Sequence, residues 1–267
     1  MDTARIAGAL SGAGLFAALG MGPAYMAIVG LYIVATLLTL CVVAPSKPHP
    51  VDAAAEVALP RSPLRDLREG MAYVWTTPRM RAAIWIAFLA NLTAYPMSNG
   101  LLPYIARDIY GTTQTGLGYL SASFAVGSLV GSILLSVISG IRVARLMIGA
   151  TVMWYAALLV FAQVQTVPAA IVCLMLAGFA QSLTMISIAV ILMRTASEHF
   201  RGRVMGVRML AIYSLPLGLL AAGSLIDVIG FAATGTLYAA AGLTLMLAIV
   251  LHWRADLWHL HAPANAK

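Results

Sequence analysis

The sequence predicts an all-α polytopic membrane protein with about eight transmembrane helices. Three observations predict this class. Of the 267 residues, 61% are hydrophobic and only 9% are charged. The apolar residues are collected in long runs, and the basic residues fall in alternate segments between those runs. Because soluble domains have about 25% charged residues, the composition excludes a disordered chain and argues against a water-soluble domain.

The apolar runs define the predicted helices. About 20 apolar residues span the hydrocarbon core, and backbone groups in hydrocarbon must be bonded within their own segment. The runs lie at about 5–20, 23–44, 82–103, 116–139, 146–164, 168–193, 204–224 and 230–252. We interpret the first run as a membrane helix and not as a cleaved signal peptide, because Asp2 lies in the leader and a second full run follows at once.

The distribution of basic residues predicts the orientation. With residue 1 in the cytoplasm, all 16 Lys and Arg residues except Arg107 fall on the cytoplasmic side. The positive-inside rule then gives an even number of spans. We therefore expect a multi-pass protein of the inner (plasma) membrane with both termini in the cytoplasm. The net charge of +7 is explained by this topology and by contact with anionic lipid, so no nucleic-acid partner is expected.

Residues 45–81 form the one long loop. Ser62-Pro63 is typical of a helix start, and Thr77-Pro78 is typical of a stop. Apolar residues recur between them at helical spacing, which predicts a short amphipathic helix. Two placements stay open: the helix lies on the cytoplasmic membrane surface, or it is a connector with its apolar face against the bundle.

Several segments resemble transporters of the major facilitator superfamily, in the branch of drug and siderophore exporters. The similar segments are RIAGALSGAGLFAALG, LREGMAYVWTTPRMRAAI, NGLLPYIARDIYGTTQTGLGYLSASFAVGSLVGSILLS and SEHFRGRVMGVRML. That family has two six-helix halves joined by a long cytoplasmic loop. The resemblance implies that the eight runs are family helices five through twelve, so that the first four helices are lacking. It gives a two-helix remnant at 1–44, a cytoplasmic linker with an amphipathic helix at 45–81 and a six-helix C-terminal half at 82–267.

Two stripes of uncharged polar residues are the candidate substrate-binding site. They lie on the runs that correspond by resemblance to the seventh and tenth helices, which line the central cavity in the family. Spacings of three and four residues put each stripe on one helix face. The residues are Asn91, Tyr95 and Asn99 in the first stripe, and Gln181, Thr184 and Ser187 in the second. The alternative is that these groups only form hydrogen bonds between packed helices.

Two further motifs concern the movement and packing of helices. Arg201-Gly202-Arg203 is the most specific part of the basic loop that resembles the family loop before the eleventh helix. Its arginines either clamp helix ends in one conformation or anchor to lipid phosphates. Gly127-x-x-x-Gly131 predicts a close approach of two helices, either as static packing or as a face that slides between halves.

The function expected from these features is transmembrane transport of a small organic solute by alternating access, in the direction of efflux. The sequence contains no H-E-x-x-H, Walker A or G-x-S-x-G motif. We therefore expect no enzyme, no catalytic residue, no metal and no cofactor. The expected partners are the lipid bilayer and the small organic substrate. Protons as coupling ion and a further chain that supplies the missing helices stay open as partners. The alternative function is a truncated, non-transporting fragment or a membrane scaffold subunit that needs a partner chain.

Overall fold

A computed structural model describes residues 21–41, 63–138 and 142–254, and all regular structure within these ranges is helical. The first predicted run, most of the linker and the C-terminal tail lie outside the described residues. The described part begins with α1 (Met21–Cys41) and the linker helix α2 (Pro63–Thr76). The predicted start at Pro63 and the predicted stop before Thr77-Pro78 are both confirmed.

The remaining elements follow in chain order. They are α3 (Pro78–Leu89), α4 (Leu102–Tyr104), α5 (Gln114–Val137), α6 (Val143–Phe161), α7 (Val167–Thr195), α8 (Arg201–Ile212) and α9 (Ser214–His252). Two π-helical turns, Ala90–Ala94 and Pro96–Gly100, continue α3. A third π-helical turn, Ile105–Ile109, follows α4, and a 3-10 turn, Glu198–Phe200, precedes α8.

Four helical stretches in the described part are long and apolar enough to cross a membrane. They are Gln114–Val137, Val143–Phe161, Val167–Thr195 and the continuous stretch Glu198–His252. The last contains a break at Gly230, where φ is 78°, a conformation that glycine adopts without a Cβ clash. The predicted run 230–252 begins at this break, and the predicted run 204–224 ends shortly before it. The chain is thus an all-α, membrane-embedded protein, while the count of eight spans stays a prediction.

The predicted run 82–103 is a helix with widened turns. Pro96 has no backbone N–H to donate, and the hydrogen bonds on both sides of it span five residues. The amide of Tyr95 donates to the carbonyl of Ala90, and the amide of Leu101 donates to the carbonyl of Pro96. Such π-helical turns are rare in proteins overall, but those that occur are frequently found at functional sites.

Helices α5 and α7 touch backbone to backbone. A β-carbon on Gly127 would overlap the carbonyl oxygen of Met175, and a β-carbon on Gly178 would overlap the carbonyl oxygen of Phe124. The close approach predicted from Gly127-x-x-x-Gly131 is therefore confirmed. We call this contact the glycine seam. Both helices belong to the 82–267 segment, so the glycines serve packing within that segment.

The linker helix α2 packs on the bundle. Val74 is fully buried, and Leu67 and Met71 pack against the hydrophobic core. At the edges of the same stripe, Leu64 and Trp75 are exposed. Of the two placements left open by the sequence, the structure has the connector against the bundle, because the centre of the apolar stripe is covered by protein.

Candidate functional site

Three helical segments meet at a polar cluster inside the apolar bundle. The Nε2 group of Gln181, on α7, donates a hydrogen bond to the hydroxyl of Tyr95, which lies between the two π-helical turns. The Oε1 atom of Gln181 accepts a hydrogen bond of 3.3 Å from the hydroxyl of Ser128 on α5. Gln181 is buried, and Tyr95 is partly exposed. We call Tyr95, Gln181 and Ser128 the core cluster.

The ring of Tyr95 is also held from a third side. Trp154, on α6, is fully buried and meets Tyr95 edge to face, with ring centroids 5.2 Å apart and an interplanar angle of 85°. Edge-to-face pairs are favourable because the positive ring edge meets the negative ring face. Tyr95 is therefore fixed by α6 as well as by α7, while one part of its surface stays open.

The other two residues of the second stripe are buried between packed helices. Thr184 is fully buried, donates to the carbonyl of Ala180 at 2.9 Å and lies with its Oγ1 atom 3.3 Å from that of Thr151 on α6. Ser187 is also fully buried, and its hydroxyl has no hydrogen-bond partner among the described residues. Of this stripe, Gln181 alone is seen in contact with Tyr95.

The residues of the first stripe also differ in their surroundings. Asn91 is buried, and its Nδ2 group donates to the carbonyl of Ala87 in its own helix at 2.8 Å. Asn99 is partly buried in the second π-helical turn. The sequence prediction assumed α-helical spacing, and the widened turns change the directions of residues four apart. Tyr95 is thus the member of this stripe that the structure joins to the second one.

Sequence reasoning missed two contributors to this region. Ser128 lies on a run where no polar stripe was recognised, and only the spatial contact with Gln181 identifies it. Arg208, on α8, is partly buried and donates from Nη2 to the carbonyl of Met185 at 3.4 Å. Met185 lies about one helical turn after Gln181 on α7, which brings this arginine close to the core cluster. A usable signal existed, because Arg208 is a charged residue inside the apolar run 204–224.

The two arginines of the Arg201-Gly202-Arg203 motif have different surroundings. The guanidinium of Arg203 forms ion pairs of 2.8 Å with Asp66 and 3.1 Å with Glu69, both on α2. Its side chain is 17% exposed, and its guanidinium lies 5.2 Å from the ring centroid of Phe200. We call Arg203, Asp66 and Glu69 the clamp. It corresponds to the helix-clamping alternative and not to the phosphate-anchoring one.

Backbone packing supports the clamp. A β-carbon on Gly70 would lie 3.0 Å from the carbonyl oxygen of Arg203, so α2 and α8 approach closely at this point. Tyr73 stacks on Phe200 with centroids 4.4 Å apart. By contrast, Arg201 is exposed, with a long pair of 3.7 Å to Glu198, and Gly202 has open space around it. The clamp thus depends on Arg203 and not on the whole motif.

Metal-binding geometry is not found in the described ranges. No group of three or more His, Cys, Asp or Glu side chains there is close enough to hold a metal ion.

Comparison with known proteins identifies the family. The model of the Major Facilitator Superfamily matches residues 3–216 and, in a second match, residues 84–264. A protein of Mycolicibacterium fortuitum named multidrug efflux pump Tap is 31% identical over 173 residues, which are 64% of this chain and 42% of the relative. Proteins of the same name from Mycobacterium tuberculosis H37Rv and Mycobacterium bovis BCG are 29% identical over 191 residues, which are 70% of this chain and 43% of each relative. The chain therefore spans less than half the length of these relatives, and it belongs to the major facilitator superfamily.

Proposed function

We propose that the chain acts in a secondary transporter that exports a small organic solute across the plasma membrane by alternating access. In this proposal residues 82–267 form the C-terminal six-helix half, residues 45–81 the cytoplasmic linker and residues 1–44 two helices of the other half. Both termini lie in the cytoplasm. Membership of the family and the name of the relatives, multidrug efflux pump, support this direction of transport.

The observation that carries the proposal is the contact between Tyr95 and Gln181. Gln181 is the central residue of the 29-residue helix Val167–Thr195, so the core cluster lies near the middle of the bilayer. Substrate sites of secondary transporters lie near the midplane, where polar groups of several helices meet. The partly exposed Tyr95 would contact the solute, and Gln181 would orient its hydroxyl.

The segment that carries Tyr95 is suited to movement. Its two π-helical turns lack the regular i to i−4 hydrogen bonds of an α-helix, and Pro96 removes one more donor. Helices α5 and α7, in contrast, are joined at the glycine seam. The segment touches α9 just as closely, because a β-carbon on Gly218 would overlap the carbonyl oxygen of Leu92. We propose that the cleft opens and closes as this segment and α9 move against α5 and α7, which move together as one unit.

The clamp would fix the linker on the cytoplasmic side during this movement. Arg203 lies at the start of α8, and Asp66 and Glu69 belong to the helix that follows the long linker. Because the linker joins the two halves in the family, a fixed α2 transmits movement between the linker and α8.

A flux experiment tests the proposed function. The chain is reconstituted in liposomes, and the efflux of a cationic dye, ethidium, and of a dye with a carboxylate, fluorescein, is measured for the wild type, Tyr95→Phe and Gln181→Leu. We expect both variants to lower the flux. Thr244→Ala is the matched control, because Thr244 is exposed and bonds only to its own helix.

The outcomes separate the two candidate functions. Flux by the chain alone that falls in both core-cluster variants supports the carrier. Flux that appears only when a chain with four further helices is added supports a fragment or scaffold subunit that needs a partner. Equal flux in the wild type and both core-cluster variants contradicts the assignment of Tyr95 and Gln181 as the solute site.

A further inference from the structure

Arg208 places a positive charge inside the membrane-embedded part of the bundle. It lies two turns into α8, about 10 Å along the helix axis from its start. The carbonyl that accepts its hydrogen bond belongs to Met185, about 15 Å from the end of α7. The 3-10 turn joins these two helix ends directly, so both distances are measured from the same side. The guanidinium is therefore well inside a hydrocarbon core of about 30 Å.

This charge has no acidic partner in the part of the chain that the structure describes. The ion pairs seen there use Asp66 and Glu69 with Arg203 or Arg65, and Glu198 with Arg201. The remaining described acids, Asp108 and Asp227, are exposed. An intramembrane charge without a counter-ion is costly, so an anion that reaches Arg208 would be bound favourably.

The groups around Arg208 suit an organic anion. Its hydrogen bond to the carbonyl of Met185 is long at 3.4 Å, and the guanidinium can donate five N–H bonds. The planar fork of an arginine matches the two oxygens of a carboxylate. The Met185 carbonyl lies four residues, about one helical turn, beyond Gln181, which bonds to Tyr95. The aromatic ring of Tyr95 therefore offers an apolar surface about one turn from the charge.

We propose that Arg208 binds the carboxylate of the transported solute, with the apolar part of the solute directed toward Tyr95. This inference rests on the proposed function and narrows the substrate class to amphipathic carboxylic acids. A lipid phosphate offers similar chemistry to a guanidinium, so the test must separate a solute carboxylate from a lipid headgroup.

The test uses two probes that differ only in charge. 1-Naphthaleneacetate carries a carboxylate, and 1-naphthaleneacetamide has the same ring without the charge. Binding of each probe to the full chain is measured by equilibrium dialysis, in nanodiscs of phosphatidylcholine alone and in nanodiscs with added phosphatidylglycerol. The variants are Arg208→Gln, Arg208→Lys and the control Arg194→Gln, which removes the same charge at an exposed position.

We expect the wild type to bind the acid about 10- to 100-fold more tightly than the amide, the range for a charge-assisted contact. Arg208→Gln should bind both probes as weakly as the wild type binds the amide, and unchanged amide binding shows that this variant is folded. Arg208→Lys should keep part of the preference for the acid, and Arg194→Gln should keep all of it.

Four results overturn the inference, three of which concern the preference for the acid. These three are equal binding of acid and amide by the wild type, an acid preference that survives in Arg208→Gln, and a preference that phosphatidylglycerol abolishes, which would assign Arg208 to a lipid headgroup. A wild type that binds neither probe overturns it as well. Dye flux that depends on Tyr95 and Gln181 would leave the proposed function intact in each of these cases.

Discussion

The clamp and the core cluster both hold helices together, but they do so with different kinds of interaction. The clamp joins α8 to α2 through full charges, and its acids are about one third exposed: 36% for Asp66 and 37% for Glu69. The core cluster joins α3, α5 and α7 through neutral hydroxyl and amide groups around the 6% exposed Gln181. Charges lose much hydration energy when they are buried. The comparison teaches that formal charge is used where water reaches and neutral hydrogen bonds where it does not, with Arg208 as the exception.

The largest expected effect comes from reversing the charge of the clamp. Arg203→Glu places a third carboxylate beside Asp66 and Glu69, so we expect the docking of α2 to lose about 2–3 kcal/mol. Trypsin cleavage after Arg65 or Arg68, both on α2, reports undocking. A loss of this size raises the cleavage rate by about 30-fold or more.

Arg201→Glu is the control for this substitution, because Arg201 is exposed and its pair with Glu198 is long. We expect a change of less than about 0.5 kcal/mol. Similar cleavage rates in Arg203→Glu and Arg201→Glu would show that the clamp does not hold α2.

The next effect is the loss of the central amide of the core cluster. Gln181→Leu leaves the hydroxyls of Tyr95 and Ser128 without this partner, at similar side-chain volume. Hydrogen bonds between membrane helices contribute about 0.6 kcal/mol on average and up to about 1.7 kcal/mol, so two lost contacts should cost about 1–1.5 kcal/mol. Unfolding by SDS in mixed micelles measures this. An unchanged unfolding midpoint would mean that the cluster adds nothing to stability.

A smaller effect is expected at a second neutral pair. The hydroxyls of Tyr155 and Thr93 lie 2.8 Å apart, and Tyr155 is fully buried. Tyr155→Phe removes one hydroxyl and should cost about 0.6 kcal/mol. The same SDS titration measures it, and a larger loss than in Gln181→Leu would reverse the ranking of the two neutral contacts.

The smallest expected effect is that of salt. It distinguishes the charged clamp from the neutral core cluster, because salt screens the interaction between charges. At 1 M salt the Debye length falls to about 3 Å, so the partly exposed clamp should weaken by a few tenths of a kcal/mol. Trypsin cleavage of α2 in the wild type should rise by less than about threefold between 0.1 M and 1 M NaCl. Arg203→Gln, which lacks both the attraction and any added repulsion, corrects for the effect of salt on the protease. The destabilisation by Gln181→Leu should not change with salt.

Much of the fold could be predicted because a helix that crosses the hydrocarbon core needs a long, continuous run of apolar residues. Continuous apolar runs located α5, α6 and α7, and the Pro residues at 63 and 78 located the start and the end of α2. The glycine spacing at 127 and 131 also indicated the correct contact. These features are local, so the sequence contains them in full.

The remaining features depend on contacts between distant segments. The pairing of Arg203 with Asp66 joins residues 137 positions apart, and nothing local selects it over a lipid phosphate. The stripes brought Tyr95 near Gln181, and the structure has these two side chains in contact. Asn91 bonds to its own helix, and its place in the cleft stays a prediction. The π-helical turns arise from tertiary packing around Pro96, which no residue spacing predicts.

In the proposed transporter, the glycine seam limits where the protein can adapt to solutes of different size. Because the carbonyl oxygens of each helix occupy the space that a side chain would need on the other, no methyl group can be added there without separating α5 from α7. That wall of the cleft has a fixed shape. In the proposed transporter, selection for a broader or narrower range of solutes must therefore act on side chains outside this seam, such as those near Tyr95 and on α8.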